Sequence, residues 1–105
     1  MQAPTINKIR GLINIANKAG YLIIGSDLLK DYRKKLFLIL KSDNGGKNLN
    51  KIAEHLKNIT NCQVKTLETA DFVNIVKIDN CKIVGLKNKG LSEEILKYIR
   101  GEELV

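Results

Sequence analysis

A chain of 105 residues makes about one domain, on a prior of roughly 100 to 200 residues per domain. With 44% apolar and 28% charged residues, including 14 Ile, 14 Leu and 5 Val, it carries enough branched apolar side chains for a continuous core, which argues against intrinsic disorder. Eighteen Lys and Arg against 11 Asp and Glu leave a net charge of +7, a balance that points to a polyanionic partner.

In chain order, Thr5 offers an N-cap to an amphipathic helix whose stripe is Ile6, Ile9, Leu12, Ile13 and Ala16, ended by Gly20. Tyr21 to Ile24 is a short apolar strand. Gly25 breaks it, and Ser26 opens a second helix predicted to run to about Lys34, with Asp27 in its first turn. Leu36 to Leu40 is five apolar residues without alternation, as in a strand covered on both faces.

Ser42 to Gly46 reads as a loop, followed by a third helix on Leu49, Ile52, Ala53, Leu56 and Ile59. Residues 62–66 alternate as a strand, Leu67 to about Phe72 forms a short fourth helix, and Cys81 to about Leu86 is another strand. Ser92 caps a last helix with Glu93 and Glu94 in its first turn and Gly101 beyond its end. Helices thus alternate with about four strands and number five. The expected fold is a three-layer α/β/α sandwich with a mixed sheet, a single domain over residues 1–105.

No apolar run approaches the roughly 18 residues that a membrane span requires, and Met1 to Arg10 lacks the pattern of a signal peptide. A cytoplasmic monomer is the expectation. Cys62 and Cys81 are a pair without a CxxC, so two reduced thiols are expected, with no metal site. The one histidine, His55, lies beside the third helix's stripe with no identifiable partner, and Glu93 and Glu94 point about 100° apart on a helix. Neither GxGxxG nor GxxxxGK[ST] occurs. The sequence therefore predicts no enzyme, no cofactor and no small-molecule substrate.

Binding is better supported. Lys outnumbers Arg by 15 to 3 alongside 14 Ile and 11 Asn, the bias of an AT-rich genome, so the placement of charge matters more than its sum. Residues 1–35 carry seven positive and two negative charges, whereas residues 91–105 carry two positive and four negative. Within the basic half, a strand feeding through Gly25 into a helix leaves unpaired backbone N–H groups that suit a phosphate, among Lys18, Lys30, Arg33, Lys34 and Lys35. The same residues also make a tight turn and cap beneath a solvated lysine face, and both readings stand at this point.

The runs NKAGYLIIG at 17–25, LFLIL at 36–40 and IVGLKNKGLSEEIL at 83–96 together resemble the ribosomal L-seven-Ae family, nearest to its short bacterial YlxQ-like branch. The resemblance spans about residues 5–99 and implies the same α/β/α sandwich. It also implies binding of structured RNA, ribosomal RNA included, typically at kink-turns gripped by the start of the second helix and the loop before the last strand. On that basis the RNA-binding residues are Lys18, Gly25, Ser26, Asp27, Lys30, Lys34, Val76, Lys77 and Ile78. Gly25 matches the family glycine, and Ser26 supplies the next backbone amide.

Asp27 stands where kink-turn binders have a guanine-reading asparagine. The family lysine six residues after the glycine falls on Asp31, and Lys30 comes one residue early. Val76, Lys77 and Ile78 occupy the positions of the family's apolar contacts. A protein-interaction adaptor on the same fold is the alternative function.

Overall fold

The structure, a computed structural model, describes residues 1–104. Nine elements follow in the order α1 (Ala3–Lys18), β1 (Leu22–Ile24), α2 (Ser26–Leu29), β2 (Leu38–Ser42), α3 (Gly46–Thr60), β3 (Gln63–Leu67), α4 (Thr69–Val76), β4 (Ile83–Leu86) and α5 (Lys89–Glu103). The sheet order is β1-β4-β2-β3. Strands β1 and β2 both pair antiparallel with β4, and β2 pairs parallel with β3. β1, β2 and β3 therefore finish at the end of the sheet where β4 begins. This is called the α2 end below, because α2 leaves from it.

Side chains alternate across the sheet and divide the core in two. Leu38, Leu40, Val84 and Leu86 meet α1, α4 and α5 in a cluster that includes Ile9, Ile13, Phe72, Ile75 and Ile95. Ile23, Ile39 and Ile83 face the other way, against Leu29, Leu36, Leu49, Ala53 and Leu56. Helices thus cover both faces, the three-layer arrangement expected from the alternation. Each buried Leu, Ile or Phe contributes about 1.5–3 kcal/mol of burial free energy. Gly85 is part of this packing, since a Cβ there would stand 2.8 Å from Leu29 and 3.4 Å from Leu36.

Several boundaries differ from expectation, each for a local reason. α1 starts at Ala3, with Gln2 in the N-cap position and Pro in the first turn, where a missing N–H costs nothing. Thr5 is thus inside the helix. α5 starts at Lys89, because Asn88 caps it by accepting from the Leu91 N–H at 2.9 Å. The Ser92 hydroxyl instead donates back to the Asn88 carbonyl at 2.7 Å, and Gly101 is an interior residue of the helix. Ile59 is exposed, and Thr60 takes the inward position through its hydroxyl bond to the Leu56 carbonyl at 2.7 Å.

The largest correction concerns α2, which is one turn long and not a helix to Lys34. α2 starts where β1 stops, while β2 begins at the opposite end of the sheet, with Leu38 opposite Leu86. The chain has residues 30–37 in which to return. A helix advances about 1.5 Å per residue and an extended chain about 3.3 Å, so a short link is extended. Leu36 is buried along the way and anchors it.

Candidate functional site

At the α2 end, Gly25 has φ +90° and ψ 157°, a region that L side chains avoid. Its N–H donates to the Ile83 carbonyl at 3.0 Å, and its carbonyl accepts from the Leu29 N–H at 3.2 Å. Both backbone groups are thus committed to the fold, and glycine is required here by conformation. The first-turn N–H groups of Ser26, Asp27 and Leu28 are those that a helix start leaves without an intrahelical acceptor. One turn sums few peptide dipoles, so α2 presents these three donors and not a helix macrodipole.

The bond from Gly25 to Ile83 ties this turn to the segment entering β4. Cys81 lies in that segment as a free, half-buried thiol whose Sγ donates to the Ile83 carbonyl at 3.3 Å. Burial pushes its pKa up, against smaller opposing effects of hydrogen bonds to the Ile83 and Gly25 backbone. It therefore packs against the turn as a neutral group. Cys62 is free and buried, and His55 is exposed. Among the described residues no group of His, Cys, Asp or Glu has the arrangement of a metal site.

A polar network fixes the rest of this end. The Ser42 hydroxyl donates to Asn44 Oδ1 at 2.6 Å and lies 3.2 Å from the Thr69 hydroxyl. Asp43 Oδ1 accepts from both the N–H and the hydroxyl of Thr69, at 3.1 and 2.7 Å, and so closes the start of α4. The Ser42 N–H donates to the Lys82 carbonyl at 2.8 Å. Beside the network lies a cavity of about 220 Å³ whose lining includes Ser42, Asn44, Thr69, Val73, Ile78 and Lys82. The loop at 42–46 was legible in the sequence, but its closure onto Thr69 and Lys82 depends on strand order, which no local pattern reveals.

The predicted site residues do not all meet. Gly25, Ser26, Asp27 and Lys30 lie at the α2 end, as do Lys77 and Ile78 of the segment leading to β4. The Asp27 side chain is 97% exposed and stands 3.9 Å from Lys30. Lys77 is exposed in left-handed conformation after α4, Ile78 is half-buried, and the Val76 side chain belongs to the core. Lys18 and Lys34 lie at the opposite end: Lys18 ends α1 just before β1, and Lys34 precedes β2. Leu22 and Leu38, the first residues of those strands, both pair with Leu86 at the finish of β4.

An apolar residue that sequence reading missed is Leu28, which is 65% exposed beside the Gly25 turn. No helix is long and apolar enough to cross a membrane among the described residues. No protein-family model matches the chain, and no curated protein matches it. A solved structure of "a protein with unknown function from Bacillus halodurans C" is similar to it, with a TM-score of 0.73 at 18% identity, covering 89% of this chain and 97% of that one. At that identity the likeness speaks for the fold, and the three-layer α/β architecture is accordingly shared with a known structure.

Proposed function

We propose that this chain is a small RNA-binding protein, associated with ribosomal or other structured RNA, that recognises a kink-turn-like element at the α2 end and performs no chemistry. The observation that carries the reading is the junction of Gly25 with Ile83. It sets the start of α2 against the first residue of β4, into which the other segment assigned RNA contact by the family resemblance leads, though the two lie far apart in sequence.

Three backbone donors at Ser26–Leu28 suit a phosphate of a sharply bent strand, while exposed Leu28 offers an apolar surface to an unstacked base. Asp27 accepts from a guanine amino group, with Lys30 offsetting its charge toward phosphate. Lys77 and Lys82 add exposed cations on the facing loop.

The test titrates a kink-turn RNA and a plain duplex of equal length at one salt concentration. The kink-turn binds more tightly to the wild-type protein, and Asp27→Asn widens that preference by restoring a guanine-pairing amide. Equal affinity of the wild type for both RNAs overturns the reading. A protein partner retained after nuclease treatment, without RNA retention, puts the adaptor in its place.

A further inference from the structure

The opposite end of the sheet carries charge that the site above does not use. Lys18, Lys34, Lys87 and Lys89 are exposed there, and Arg33, Lys35 and Lys57 lie on the adjoining segments. Backbone and side-chain contacts hold them together. The Lys87 N–H donates to the Tyr21 carbonyl at 2.8 Å, the Phe37 N–H donates to Leu86 at 3.0 Å, and the Lys35 ammonium stands 5.4 Å from the centre of the Phe37 ring.

The ion pairs among the described residues are Met1 with Asp71, Lys30 with Asp27, Lys65 with Glu103 and Lys97 with Glu94. None of them involves a cation of this end. Helix electrostatics accounts for Lys18 and Lys57, in the last turns of α1 and α3. It does not account for Lys87 and Lys89, which flank the N-cap Asn88 of α5 where a cation is disfavoured, nor for Lys34 on an extended link. Like charges gathered without partners destabilise the fold, and a polyanion relieves them.

Aromatic surface accompanies the charge. Tyr21 is 40% exposed beside Lys87. Phe37 lines a cavity of about 450 Å³ together with Gln63, Lys89, Glu93 and Arg100, larger than a nucleobase and open to solvent. An exposed ring and a half-buried one, Phe37, between lysines are the makings of a single-strand site, in which cations follow the backbone and bases stack.

We propose that this end is a second contact surface, which holds single-stranded RNA flanking the structured element through Lys34, Lys87 and Lys89, with Tyr21 and the Phe37 cavity receiving bases. The class of partner rests on the RNA-binding reading above, but the surface is separate from the α2 site.

The experiment measures binding of the full chain to an oligouridylate. One variant carries Lys34→Glu, Lys87→Glu and Lys89→Glu, and a control carries Lys47→Glu, Lys51→Glu and Lys97→Glu. The first weakens binding about tenfold or more and flattens the log K against log salt slope by about 2, at roughly 0.7 per single-strand phosphate. Tyr21→Ala weakens it further. Substitution of the same three lysines by Gln gives the same direction with a smaller loss, and thermal melting verifies that each variant is folded.

Unchanged binding in the first variant, or equal loss in both, overturns the surface, as does polyglutamate competing as well as the oligouridylate. Should the wild type lack kink-turn preference while the oligouridylate loss stays confined to the first variant, the α2 site falls and this surface stands. Kink-turn preference with an inert first variant gives the reverse.

Discussion

Gly25 is where conformation and function overlap, and they separate experimentally. A Cβ there meets nothing within 4 Å, so Gly25→Ala is costly through φ +90° alone, by about 1–3 kcal/mol. Denaturant midpoints should show that loss without RNA present. A weakened Gly25 variant therefore does not isolate a phosphate contact, whereas exposed Asp27 is free to change. Cys81 makes a second residue-scale prediction. Its thiol pKa is raised in the fold by burial, so folding favours the neutral form. The stabilisation is complete below the thiol pKa of the unfolded chain and is lost as pH rises through the higher folded value. Cys81→Ala should flatten the alkaline limb of stability against pH, compared with wild type by urea midpoints, and Cys81 should react slowly with thiol reagents at pH 8. The caps were the least legible feature at this scale. Any Ser or Thr before an apolar run satisfies the pattern, and Asn88 displaces Ser92 because its side chain reaches Leu91 N–H three residues on.

Among the elements, those whose burial is written in their own residues were the readable ones. α1 buries Ile6, Ile9, Ile13 and Ala16, and β2 is covered on both faces as its unbroken apolar run implies. α2 was not readable, because its length is set by the distance back to β2 and not by its own residues. Leu36 is the anchor of that return, packed over Gly85, and Leu36→Ala should cost about 2–5 kcal/mol. If the extended link positions Lys34, the same variant should also weaken single-strand binding more than kink-turn binding. Asn88→Ala should cost about 1 kcal/mol by removing the cap of α5, read from the thermal midpoint.

At the scale of the whole molecule, topology redistributes what the sequence pooled. Lys18, Lys30 and Lys34 fall within one basic stretch, yet β1 and the link after α2 carry the chain up the sheet and back, leaving Lys18 and Lys34 at the other end from Gly25. No local pattern encodes that separation, because it follows from β1 and β2 both flanking β4. Charge is segregated accordingly. The α2 end mixes Asp27, Asp43 and Asp79 with Lys41, Lys77 and Lys82, while the opposite end gathers Lys18, Lys34, Lys87 and Lys89 with Glu93 beside them.

That division fixes how salt acts on binding. With about four to six phosphates neutralised over the molecule, log K should fall against log salt with a slope of roughly −3 to −5, at about 0.7 to 0.9 per contact. The contributions should be separable by RNA design. A kink-turn without flanking strands engages mainly the mixed-charge end, where backbone donors release no counterions, so its slope should be shallow. Adding single-stranded flanks recruits Lys34, Lys87 and Lys89 and should steepen the slope by about 2. Replacing Lys97, paired with Glu94 on α5, should leave both slopes unchanged. A slope that is the same with and without flanks means that the opposite end never meets the strand, and a slope near zero for both RNAs removes electrostatic attraction as the source of affinity.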